Sequence, residues 1–157
     1  MTKRQRIKLK KNIVKHSKDW SLLQTQKKQS PISINALLST IFIGALIGTY
    51  LDLFFVGKGI YVFPKRPLPN VFQINVAFTL FGLPIFICLF LFVSNLLKSW
   101  QKIWFIFIIS LFMSVFERIS ESFGFFIHLE SWKHTYSLIG YIIYLSFIYI
   151  YYQALNH

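Results

Sequence analysis

Four apolar stretches nearly free of charge constrain this chain more than any other feature. No Asp, Glu, Lys or Arg occurs from Pro31 to Leu51, Pro67 to Leu97, Ile103 to Phe116 or Thr135 to Asn156. A helix crossing ~30 Å of hydrocarbon needs about 20 mainly apolar residues. The pattern predicts spans near 34–55, 71–97, 103–125 and 135–153. The expected fold is all-α, an integral membrane four-helix bundle over residues 31–157 preceded by a basic arm at 1–30.

Composition supports this and excludes a soluble reading. The 157 residues are 55% hydrophobic and 14% charged, too few charges to cover a globule, although the net charge is +12. Ten of the 17 Lys and Arg, and a single acid, Asp19, lie in residues 1–30, so +9 of the +12 belongs to the arm. Basic residues favour the cytoplasmic side. The arm, Lys98 and Lys102 would lie inside. Lys58, Lys65, Arg66, Lys133 and Arg118 would lie outside. Both termini are therefore expected in the cytoplasm. A basic segment beside a first span meets anionic lipid at about 1 kcal/mol per base, so lipid and not nucleic acid is its expected partner. The lone cysteine, Cys88, excludes an intramolecular disulfide.

Two stripes carry polar character into the spans. In the first, Thr40, Gly44, Gly48 and Asp52 recur every four residues and share one helical face. Gly44 and Gly48 would let another helix approach closely. In the third, Ser110, Ser114, Glu117 and Glu121 form a second stripe, with Arg118 beside it. Ionisable groups at membrane depth usually face the bundle interior. Asp52, Asn75, Glu117, Arg118, Glu121, His134 and Tyr136 therefore make a candidate outward-facing polar pocket, with Arg118 pairing Asp52 or Glu117. Three readings stay open: a functional pocket, a salt-bridge cluster that fixes helix order, or a solvated helix end. No metal is expected. The nearest approach to a metal set is His128, Glu130 and His134 with a carboxylate of the third span, and it matches no zinc spacing. Pro84 is expected to bend the second span. The short loop at 98–102 predicts that spans two and three are antiparallel neighbours. The Gly- and Pro-rich connection Gly57–Asn70 predicts irregular structure, with Ile60 to Phe63 dipping into the interface.

Several segments carry a resemblance: Gly48-Thr-Tyr-Leu-Asp52-Leu, Gly57-Lys-Gly59, Phe63-Pro-Lys-Arg66-Pro67-x-Pro69, Ile74-Asn75-x-Ala77-Phe78-Thr79, Glu117-Arg118-x-x-Glu121 and Trp132-Lys-His134-x-Tyr136. Over residues 33–153 the chain resembles a family of small uncharacterised multi-pass membrane proteins of endospore-forming bacteria. The resemblance implies a bacterial cytoplasmic membrane and a spore-related role. It brings no catalytic residue and no cofactor.

No nucleophile elbow, phosphate loop or dinucleotide motif is present. The leading expectation is a non-enzymatic accessory or interaction component, packing through the Gly44/Gly48 face against a second copy or another membrane protein. The alternatives are a small proton-coupled transporter using the pocket carboxylates and Arg118, and a membrane-embedded lipid-modifying enzyme.

Overall fold

A computed structural model describes residues 33–129 and 132–156. The arm at 1–30 and Glu130 lie outside the described residues. Four helices dominate: α1 (Ile34–Gly57), α2 (Leu83–Leu96), α3 (Ser99–Ser122) and α4 (His134–Leu155). A π-helical turn, Phe78–Gly82, leads into α2. With that turn included, all four are long and apolar enough to cross a membrane. Two short strands, β1 (Tyr61–Val62) and β2 (Ile127–His128), pair antiparallel and cap one end. We call that the ribbon end.

Local chemistry sets the boundaries. Ser33 caps α1, its Oγ accepting from the Ala36 N–H at 3.3 Å. The second apolar helix begins at Phe78 rather than near residue 71. Asn75 explains the delay, because its Oδ1 accepts from the Phe78 N–H at 3.2 Å. Ile74, just before it, is buried in the ribbon cluster. Pro84 lies inside this continuous helical segment, directly after the π-helical turn, where its missing N–H coincides with the local break in regular α-helical bonding. The third helix starts at Ser99, earlier than expected. The Gln101 side chain accepts from the Lys98 N–H at 2.8 Å and closes its first turn. It ends at Ser122, ahead of Gly124 with φ of 70°.

The helices pack around α4, which touches all three others and pairs most extensively with α3. The helices α2 and α3, expected as antiparallel neighbours, do touch through their side chains, though their backbones approach less closely than those of α3 and α4. The rings of Phe90 on α2 and Phe105 on α3 stack, 5.7 Å between centroids. The core comprises Ala36, Leu83, Ile87, Phe90, Leu91, Leu145, Ile148 and Tyr152. Outward positions are also apolar: Ile34, Leu38, Phe42 and Leu46 on α1, Ile139, Ile143, Phe147 and Ile150 on α4.

The glycine face of α1 is occupied within the chain. A Cβ on Gly44 would lie 2.7 Å from both Ile87 Cδ1 and Ile148 Cδ1, and one on Gly48 would collide with Leu83 Cδ2. Tyr144 also donates its hydroxyl to the Gly44 carbonyl at 2.9 Å. The face expected to meet a partner instead receives α2 and α4.

The ribbon follows from period-two alternation. Tyr61 and Phe63 point inward while Val62 is exposed, and Phe126 is buried while Ile127 is exposed. Tyr61, Phe63, Ile74 and Phe126 form a second, smaller apolar cluster. Of the residues expected to dip into the interface, only Val62 turns fully outward; Tyr61 and Phe63 pack inside.

Candidate functional site

The ribbon end gathers carboxylates and imidazoles from three elements. The α3 stripe supplies Glu117 and Glu121, one turn apart on the same face. Strand β2 supplies His128, and the first residue of α4 is His134. His128 is placed by register, since Tyr61 stands opposite it across the strand pair. Its ring packs 4.4 Å from that of Phe126 and stacks on Trp132 at 5.4 Å.

Each imidazole faces both carboxylates. His128 Nε2 lies 3.2 Å from Glu117 Oε1, and its Nδ1 lies 3.4 Å from Glu121 Oε1. His134 Nδ1 lies 3.9 Å from Glu117 Oε1, and its Nε2 lies 3.8 Å from Glu121 Oε2. The His128 side chain is 6% exposed and that of Glu117 10%, whereas Glu121 is 27% and His134 39% exposed. The first pair forms the floor and the second the open edge. Among the described residues, the buried Nδ1 atoms of His128 and His134 make no hydrogen bond.

Glu117 is held from both sides. Ser137 donates its hydroxyl to Oε1 and Tyr141 donates its hydroxyl to Oε2, each at 2.6 Å. Trp132 Nε1 donates to Ser137 Oγ at 3.0 Å. Glu121 Oε1 accepts from the His128 N–H at 2.9 Å. Ser137 and Tyr141 lie four apart on α4 and face α3.

A second polar pair lies alongside. Tyr61 donates its hydroxyl to Asp52 Oδ1 at 2.6 Å, tying β1 to α1. Burial pushes the Tyr61 phenol well above the ordinary tyrosine range, and the Asp52 charge and hydrogen bond push it further.

Of the sequence-predicted pocket, Glu117, Glu121 and His134 converge. Asp52 lies beside them with Tyr61 as its partner. Three residues lie apart. Asn75 is the cap before the π-helical turn. Arg118 is exposed and makes no ion pair among the described residues, because its position on α3 is about 100° around the helix from Glu117. Tyr136 is half exposed and packs edge-on against Trp132 at 5.5 Å. His128 joins the site; Glu130 lies outside the described residues. Sequence reasoning passed over Tyr61, Ser137 and Tyr141. For the latter two, the His134, Ser137, Tyr141, Tyr144 spacing carried the signal, a polar stripe at helical period on α4.

Glu117, His128 and His134 can offer ligand atoms that all lie within 4.8 Å of one another. A tetrahedral ion with bonds of about 2.0–2.1 Å sets its ligand atoms about 3.3–3.4 Å apart. The distances of 3.2 and 3.9 Å from Glu117 Oε1 bracket that value. Small side-chain shifts would therefore close a coordination sphere. Comparison with protein-family models, curated proteins and solved structures gave no match.

Proposed function

We propose that the protein is a multi-pass protein of the bacterial cytoplasmic membrane that binds a divalent transition-metal ion at the ribbon end of its bundle. One observation carries this reading. Two imidazoles turn opposite nitrogens toward the same two carboxylates, and one buried nitrogen of each lacks a hydrogen bond. A buried polar atom without a partner is costly; an ion beside Glu117 would satisfy His134 Nδ1, while His128 would bind it through Nε2 and keep its Nδ1 toward Glu121. Imidazole and carboxylate together suit zinc, iron and manganese.

In this reading Glu117 Oε1, His128 Nε2 and His134 Nδ1 are the ligands. Glu121 then faces the remaining nitrogen of each imidazole, at 3.4 and 3.8 Å. Closing those gaps to hydrogen-bond distance would give the carboxylate–histidine–metal arrangement in which an outer carboxylate orients the ligand rings. Ser137 and Tyr141 orient Glu117 in the same way. Three protein ligands leave a position for water or substrate, and a metal there supplies Lewis-acid chemistry or an activated water. The membrane setting is supported by the outward apolar faces of all four helices, which would aggregate in water. The distribution of bases supports cytoplasmic termini, with the ribbon end outside.

This reading replaces the accessory-subunit expectation, whose interface was the glycine face now filled by α2 and α4. Elemental analysis of the protein purified without chelator tests it. We expect about one zinc, iron or manganese per chain, lost in the His128→Ala/His134→Ala double variant. A metal-free protein that also fails to take up added zinc or cobalt would overturn it.

A further inference from the structure

We infer that the ligand met by this centre is the phosphate of an anionic lipid headgroup. The inference rests on the metal reading above and adds its substrate class.

Depth comes first. The open edge is made by Glu121, in the last turn of α3, and His134, in the first turn of α4. A helix long enough to cross the hydrocarbon puts its terminal turns at the headgroup boundary. The edge therefore opens where headgroups lie.

The surroundings of the edge are those of a surface seated in lipid. Beyond the helices, Val62, Leu68, Phe125, Ile127 and Leu129 are all exposed. Loop residues of this kind are stable where they bury in the interface, and unstable in water. A soluble phosphate compound would gain nothing from this apolar rim, whereas a lipid brings its chains to it.

Charge supplies the headgroup class. Two exposed lysines flank the two half-buried residues of the open edge. Lys65 donates Nζ to the carbonyl of Phe123, two residues beyond Glu121, at 2.9 Å, and lies 5.3 Å over the Phe125 ring. Lys133 immediately precedes His134. Arg66 lies on the same loop but gives Nε, Nη1 and Nη2 to the carbonyls of Phe72, Phe63 and Pro69, so it braces the turn. Lysines over apolar surface match an anionic headgroup. Without an ion, Glu117 and Glu121 would repel a phosphate. A divalent ion reverses the local sign and leaves a coordination position for a phosphate oxygen.

The test uses the full-length protein in a non-ionic detergent, loaded with cobalt(II), whose visible spectrum reports its ligands. Short-chain phosphatidylglycerol, phosphatidylcholine and inorganic phosphate are titrated separately. We expect phosphatidylglycerol to shift the cobalt bands at a concentration about tenfold below phosphatidylcholine or inorganic phosphate. The Lys65→Gln/Lys133→Gln variant should raise that midpoint about tenfold with cobalt stoichiometry unchanged. Lys133→Gln alone should show part of the effect, and it leaves the Lys65 contact intact. Cobalt bound but silent to lipid would overturn the inference and leave the metal reading standing. So would equal response to both lipids, an unchanged lysine variant, or inorganic phosphate acting as well as phosphatidylglycerol. Failure to bind cobalt at all would remove both.

Discussion

Tyr141, on α4, donates its hydroxyl to Glu117 Oε2, on α3, at 2.6 Å, joining the two helices at the floor of the candidate centre. A buried carboxylate that loses a donor is left with an unmet desolvation cost of about 1–3 kcal/mol. We expect Tyr141→Phe to lower stability by about that amount, as read by thermal unfolding in detergent. The loss should be smaller when metal is added, because an ion compensates the carboxylate. Equal losses with and without metal would argue that the hydrogen bond is purely structural.

Glu117 and Glu121 should separate by role. Removing a ligand opens the coordination sphere, whereas removing an orienting group typically costs 10–100-fold in affinity. Glu117→Gln is expected to lose the ion at native purification. Glu121→Gln should keep it with affinity reduced about 10–100-fold in chelator competition. The reverse order would make Glu121 the ligand.

The glycine face makes a packing prediction. Gly48→Leu places a side chain where Leu83 already sits and should cost about 1–3 kcal/mol. Gly140, also on a helix, has open space around its Cβ position, so Gly140→Leu should stay within about 0.5 kcal/mol. Comparable melting shifts for the two would contradict the α1–α2 packing.

Tyr61 makes an alkaline prediction. Its phenol is raised in the folded state above the unfolded value of about 10, so the neutral form is the one folding favours. The stability this contributes is fully present below about pH 10 and declines as pH rises beyond it. The advantage of the wild type over Tyr61→Phe should therefore shrink above about pH 10. An advantage that stays constant through that range would contradict the buried Asp52–Tyr61 pair.

Arg118 offers a control. It is exposed and free of ion pairs among the described residues, so Arg118→Gln should change stability by less than about 0.5 kcal/mol. A loss of several kcal/mol would restore the expected pairing with Asp52 or Glu117.

The one-dimensional pattern alone determined the four long helices, because a membrane-length apolar run has few other ways to satisfy its backbone. It determined the inward stripe of Glu117 and Glu121 for the same reason: ionisable groups at depth turn away from lipid. The close-packed role of Gly44 and Gly48 was legible from spacing, but not which helix would fill it. Tertiary structure decided the rest. Arg118 adjoins the stripe in sequence and leaves it by helical angle, which the spacing already encodes; the packed bundle shows that no ion pair among the described residues draws it back. His128 enters the centre through a strand register set by Tyr61, a residue 67 positions away, and no local spacing encodes such a pairing. Tyr141 and Ser137 meet Glu117 because α4 packs against α3, and the short α2–α3 loop gave no hint of that preference. Periodicity fixes which face of an element is polar. Which polar faces meet depends on long-range packing, and that is where the centre is made.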